Sequence, residues 1–142
     1  MKTVLAFGTF DIIHPGHIAY LSAASRLGNK LIVIVARDDS VRMLKKREPF
    51  LDEDARCTIV NSLKMVDRAV LGNKLKKPSD IYNIFKKYRP DVIAIGYDQK
   101  ANIPAMREWL DHNKIKAKIV RLKVKINDDV YKSSKLLSKL NK

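Results

Sequence analysis

A chain of 142 residues is the size of one hydrophobic core, and its 46% hydrophobic content sets it apart from the disordered classes. Lysine and arginine number 29 against 15 aspartate and glutamate, a formal charge of +14 that points to an anionic partner: nucleic acid, a nucleotide or a phosphorylated metabolite. The apolar runs are far shorter than a membrane span, the start MKTVLAFGTFD lacks a signal-peptide cleavage pattern, and the single cysteine, Cys57, permits no internal disulfide or zinc motif. A single cytoplasmic domain over residues 1–142, with no membrane partner, is therefore expected. The basic residues are spread out, and no arginine-rich arm, zinc finger or RNP-type strand accompanies them, so much of the charge reads as solvated surface and a nucleic-acid partner is not favoured.

The predicted elements alternate. TVLAFG (Thr3–Gly8) reads as a first strand, followed by a helix from Pro15 to Leu27 that stops at Gly28-Asn29. LIVIVA (Leu31–Ala36) is a second strand. Asp52 is an N-cap candidate for a helix that carries Ala55, Ile59, Val60 and Leu63 at helical spacing, with Cys57 half-buried on it. RAVLG (Arg68–Gly72) follows as a strand, then a helix from Ser79 or Asp80 to the Arg89-Pro90 break. DVIAIG (Asp91–Gly96), a helix over Ile103–His112 with Trp109 in the core, and AKIVRL (Ala117–Leu122) come next, and a last helix starts at about Ser133. This order predicts an α/β fold, a Rossmann-like doubly wound five-stranded parallel sheet with helices on both faces.

In such sheets ligands sit beyond the carboxyl ends of the strands, where the strand order reverses. Two strand ends stand out, GTFDIIHPGH (residues 8–17) and GYDQ (Gly96–Gln99). Neighbouring strands would bring both to one crevice. Gly8 allows close backbone approach, Pro15 and Gly16 open a helix, and the helix start offers unpaired N–H groups and the positive end of a dipole. His14 and His17, at i and i+3, lean over the same spot. Three readings compete for this pair: a phosphate clamp, a metal site and a packed turn. Zinc needs a third ligand at a recognisable spacing and the HEXXH pattern is absent, so the clamp is preferred.

GTFDIIHPGH resembles the signature of the HIGH-type nucleotidyltransferase superfamily, in the HxGH form of its cytidylyltransferase-like branch. The resemblance spans essentially the whole chain: GYDQ is similar to the branch's fourth-strand nucleotide segment, and YKSSKLL (Tyr131–Leu137) to its C-terminal Ser/Thr-Ser/Thr-Lys segment. Within the branch, the short length and LIVIVARDDSVRMLKKREP most resemble the archaeal FAD synthases, with glycerol-3-phosphate cytidylyltransferases the near alternative.

The resemblance implies transfer of AMP from ATP to FMN by direct displacement at the α-phosphorus, with a divalent cation, Mg²⁺ or Co²⁺, bridging phosphate oxygens and no protein metal cage. It implies catalytic roles for His14, His17 and Lys135 and a nucleotide site of Gly8, Thr9, Phe10, His14, Pro15, Gly16, His17, Asp98, Ser133 and Ser134. Lys46 and Arg56 are candidates for the second substrate's phosphate, and a homodimer is implied. Tyr97, Tyr131 and Phe50 are candidates to stack on a ring or simply to pack. The segment INDDVYKSSK lacks the arginine and glycine of the cytidylyltransferases' RTxGIST-like segment, which leaves ATP or CTP open as the donor and FMN or another phosphorylated small molecule as the acceptor. A nucleotide- or RNA-binding module that has lost the chemistry is the non-enzyme alternative.

Overall fold

A computed structural model describes residues 1–123; the helix expected from about Ser133, with Tyr131, Ser133, Ser134 and Lys135, lies outside the described residues. The described part is a parallel five-stranded sheet. Its strands are β1 (Thr3–Gly8), β2 (Lys30–Val35), β3 (Arg68–Leu71), β4 (Val92–Ile95) and β5 (Lys118–Arg121), in the order β3-β2-β1-β4-β5. The helices are α1 (Pro15–Ser25), α2 (Asp38–Lys45), α3 (Glu53–Asn61), α4 (Ile84–Tyr88) and α5 (Ile103–His112), with a 3₁₀ turn over Pro78–Asn83 before α4.

The strands are nearly continuous apolar runs because both faces are covered. Val4, Ala6, Val33 and Val35 point to one side, where Leu21 and Ala24 of α1 and Val60 of α3 meet them. Leu5, Ile32, Ile34, Ile93 and Ile95 point to the other, against Phe85 of α4 and Met106 and Leu110 of α5. Each valine, leucine, isoleucine, phenylalanine or methionine among them contributes about 1.5–3 kcal/mol by leaving water, and each alanine less. Trp109 is only partly buried, packing with Tyr82 and Phe85 at the edge of the second cluster.

Two elements differ from expectation. The sequence patterning assigns nothing to α2, whose eight residues bury only Ser40 and Val41 and whose N-cap, Arg37, makes no side-chain capping bond. Asp38 and Asp39 in its first turn favour it through the helix dipole. The helix expected from Ser79 or Asp80 divides into the 3₁₀ turn and the short α4, which ends with Arg89 in the left-handed region.

The register explains the crevice. β1 pairs with β2 as far as Gly8 opposite Val35, whereas its pairing with β4 stops at Ala6 opposite Ala94. Beyond that point β1 and β4 part, and they are the neighbours at which the strand order reverses.

Candidate active site

A crevice of about 900 Å³ opens at the carboxyl ends of the strands, with His14 and His17 on one wall and Asp98 and Gln99 on another. The two segments singled out by sequence therefore share one cavity.

His14 is the N-cap of α1, in extended conformation, and its Nδ1 accepts the Gly16 N–H at 3.1 Å. His17, three residues on, accepts the His14 N–H at its own Nδ1 at 3.3 Å, closing a reciprocal cap made of two imidazoles. The rings lie 3.9 Å apart, tilted by 33°. A Cβ at residue 16 would stand 2.8 Å from His14 Cε1, so only glycine lets the ring fold back over the first turn. Because His14 Nδ1 accepts a backbone N–H, the proton of its neutral ring belongs on Nε2, which makes that nitrogen a donor.

Both rings are held neutral. Burial lowers the His14 pKa below the ordinary value, against the opposing charge of Asp98. Burial drives His17 down to about 3, aided by His14 and Lys45 and partly opposed by the Ile12 carbonyl. The pair thus consists of hydrogen-bonding imidazoles, with the helix N-terminus and nearby lysine and arginine supplying the positive field.

The turn that leads into α1 is strained and braced. Phe10, 3% exposed, holds φ at 54°, and its ring lies edge-on to His17 at 5.4 Å. A left-handed residue of this size costs on the order of 1–3 kcal/mol and persists where its surroundings over-determine it. A Cβ at Gly8 would stand 3.0 Å from that ring. Asp11, also buried, accepts the Phe50 and Leu51 N–H groups and pairs with Arg47 at 3.0 Å. Burial pulls its pKa up, but those two N–H groups and Arg47 outweigh burial and leave it below the ordinary carboxylate value.

Of the basic candidates, Arg56 is not brought to the crevice surface. It is fully buried, donating to the carbonyls of Leu51, Thr9 and Ala36 at 2.7–2.9 Å and to Asp38 at 2.6 Å. A guanidinium so engaged braces the turn after β1 from beneath, and the expectation that it meets a substrate phosphate gives way to that role. Lys46, exposed, caps the C-terminus of α2 at φ 53° and does not line the cavity. Its neighbours Lys45 and Arg47 do, and so does Arg37, which donates to the Gly72 carbonyl at 2.7 Å and to Glu53. Sequence reasoning missed these three. No local pattern marks them, since Arg37 is the N-cap of α2 and the left-handed Lys46 ends the helix between Lys45 and Arg47.

Thr9, Phe10, Gly16, His17 and Asp98 all line the cavity, as does Tyr97; Phe50 is 60% exposed. Among the described residues no three His, Cys, Asp or Glu side chains stand close enough to hold a metal ion. A hard cation prefers oxygen, and here the imidazole Nδ1 atoms and the Asp11 carboxylate are already engaged with backbone N–H groups. No helix of the described residues is long and apolar enough to cross a membrane.

Comparison with known proteins agrees with this geometry. The Cytidylyltransferase-like family matches residues 5–139. The FAD synthase of Aciduliprofundum boonei is 44% identical over 99% of this chain and 91% of its own, and that of Ferroglobus placidus is 43% identical over 99% and 88%. Among solved structures, a Thermoplasma volcanium protein described as a lipopolysaccharide core biosynthesis protein superposes with a TM-score of 0.81 at 38% identity, covering 89% of this chain and 99% of that one.

Proposed function

We propose, from the premise that the chain belongs to the cytidylyltransferase-like family, that it is an FAD synthase, transferring AMP from ATP to FMN with release of pyrophosphate. The observation that carries the acceptor assignment is the near full-length likeness to FAD synthases at 39–44% identity. The paired imidazoles over the α1 N-terminus support the chemistry.

The FMN phosphate is ionised at neutral pH, so one of its oxygens attacks the α-phosphorus without a general base. The new P–O bond forms as the bond to the oxygen bridging the α- and β-phosphorus breaks, and that oxygen leaves with the pyrophosphate. What remains for the protein is alignment and charge stabilisation. His14 Nε2–H and the His17 ring meet phosphate oxygens as charge moves onto them, while the Gly16 and His17 N–H groups, bonded to His14 Nδ1 and the His14 carbonyl, fix the pose of the cap. Gly8, Thr9 and Phe10 present backbone to the nucleotide, Pro15 sets the first turn of the helix, and Asp98 accepts from the ribose. Ser133, Ser134 and Lys135 hold the triphosphate in this reading, and Lys45 and Arg47 replace Lys46 and Arg56 as the cations facing the acceptor phosphate.

Activity of this kind needs a divalent cation, in this reading Mg²⁺ or Co²⁺, which would supply charge neutralisation to the phosphate groups held by His14, His17 and the α1 N-terminus. A homodimer acting in the cytoplasm belongs to the same proposal, and sedimentation of the purified protein tests its oligomeric part.

The test of function is product formation. Purified protein with ATP, FMN and Mg²⁺ is expected to yield FAD and pyrophosphate in equal amounts, read by chromatography with flavin detection. No FAD, together with coupling of CTP to glycerol 3-phosphate, would overturn the acceptor while leaving the family intact.

A further inference from the structure

We infer that Gln99 and Arg121 are positioning residues that hold the Gly96–Gln99 loop in one shape, placing Asp98 beside the α1 N-terminus and so setting nucleotide affinity without meeting the reacting phosphorus. The inference rests on the reading of this crevice as a nucleotide site. It starts from the point where β1 and β4 part. Past Ala6 and Ala94 their ladder has no further rungs, leaving the Phe7 carbonyl and the Gly96 N–H without strand partners on the facing edges. The Gln99 side chain fills that gap: its Nε2 donates to the Phe7 carbonyl at 2.6 Å and its Oε1 accepts the Gly96 N–H at 2.7 Å. One amide thus joins the end of β1, one residue before the Gly8–Asp11 turn, to the start of the loop that carries Asp98.

The far side of the same loop is held from β5. Arg121 Nη1 donates to the carbonyls of Gly96 and Gln99, both at 2.9 Å. Gly96 therefore gives both its backbone groups to side chains, one 3 and one 25 residues away. A Cβ on Gly96 would stand 3.3 Å from Gln99 Cγ, so the loop closes tightly over the amide. The chemistry selects glutamine: the gap presents one acceptor and one donor, and an amide supplies the complement of each. Glutamate matches the Gly96 N–H and repels the Phe7 carbonyl. Methionine keeps the bulk and loses both bonds. Arg121 is largely exposed, so its bonds compete with water and count for less than those of the half-buried Gln99.

The test uses the full chain with Gln99→Met, Gln99→Glu, Arg121→Ala and Arg121→Lys. Affinity for α,β-methylene ATP with Mg²⁺ is read by calorimetry, alongside kcat, both KM values and the thermal midpoint. Loss of both partly buried hydrogen bonds in Gln99→Met, and of one with a carboxylate set against the Phe7 carbonyl in Gln99→Glu, should each weaken analogue binding and raise KM for ATP by about tenfold. Under the same conditions kcat at saturating ATP and KM for FMN should stay within about threefold of wild type. Arg121→Ala should cost roughly threefold and Arg121→Lys should recover most of it. Unchanged analogue affinity in both Gln99 variants overturns the inference. So does a parallel fall in kcat and rise in both KM values with a lowered midpoint, which marks a merely structural residue. Wild type that binds the analogue but makes no FAD overturns the acceptor assignment alone, because analogue binding does not involve FMN.

Discussion

The loops that follow β1 and β4 meet in one crevice but are built by different means. After β1, the catalytic geometry is made mostly by neighbours: His14 caps Gly16, His17 caps His14, and the Phe10 ring packs on Gly8 and His17. After β4, the loop is shaped by Arg121, 25 residues from Gly96, and by the tie from Gln99 to Phe7, 92 residues away. Beneath this local bracing the β1 loop is also tied over longer spans, through Asp11 to Phe50, Leu51 and Arg47 and through Thr9 to Arg56. A loop that only has to receive a nucleotide tolerates a longer and softer suspension.

The largest expected effect lies where that contrast is weakest. Arg56 reaches under the β1 loop from 47 residues away to hold the Thr9 carbonyl, and it is fully buried. Arg56→Met should lower stability by about 3–5 kcal/mol, because Asp38 and three carbonyls lose their partner while a charge is left behind. Urea unfolding of the two proteins measures this. A loss under 1 kcal/mol would mean that the turn after β1 supports itself.

Next in size is the clamp. His14→Ala or His17→Ala should reduce kcat by roughly a hundredfold or more, with a smaller change in ATP affinity, if the contacts strengthen as charge builds. The Gln99 variants are expected to show the reverse split. Unchanged kcat in both histidine variants would reduce the imidazole pair to a helix cap.

The same contrast decides what could be read from the sequence. The β1 loop was legible because its partners are three residues apart and their spacing carries the geometry: histidines at i and i+3, proline at the first helical turn, glycine where a ring folds back. The sheet was legible for a related reason, since apolar runs punctuated by helix caps admit few topologies, whereas the β1–β4 adjacency entered only as the condition under which the two motifs share a crevice, and the strand order supplies it. Gln99 was visible as a letter of GYDQ and Arg121 as a strand residue, but nothing local indicates that one bridges to Phe7 and the other to Gly96. Arg56 misled for the same reason. A basic residue on a charged helix looks solvated or substrate-facing, and only its own burial among three carbonyls and Asp38 reveals its use.

A pH titration of stability separates the two loops at an intermediate scale. His17 titrates near 6.5 when unfolded and at about 3 when folded, so the unfolded chain binds the extra proton between these values. Its contribution is fully present above pH 6.5 and is lost as pH falls from there toward 3, at up to about 1.4 kcal/mol per pH unit. His14, lowered in the same direction, steepens the slope. His17→Gln should flatten the profile between pH 6 and 4, whereas Gln99→Met, which removes no titrating group, should leave its slope unchanged. Equal slopes for wild type and His17→Gln would show that the ring is not held neutral by burial.

The smallest effect concerns Tyr20, which sits on the helix of the β1 motif yet serves the β4 side. Its hydroxyl donates to the Ala94 carbonyl at 2.8 Å and faces the Phe7 N–H at 3.3 Å, so it spans the same parting of strands that Gln99 spans one step further along. Burial keeps its phenol well above the ordinary pKa, and it stays a neutral donor throughout the working range. Tyr20→Phe preserves the ring and removes the bridge, leaving one carbonyl and one weakly bonded N–H in a partly buried seam. The expected cost is about 1 kcal/mol of stability, because the 3.3 Å contact is long and only the bond to the Ala94 carbonyl is short. Its effect on ATP affinity should be smaller than that of Gln99→Met, since the ladder between Val4–Ala6 and Val92–Ala94 already fixes the strands at this level. Denaturation midpoints and analogue affinities measured on the same preparations check both expectations. A loss of affinity equal to that of the Gln99 variants would mean that the parting of β1 and β4 is held as one unit, and that the β4 loop depends on the helix of the β1 motif as much as on its own strap.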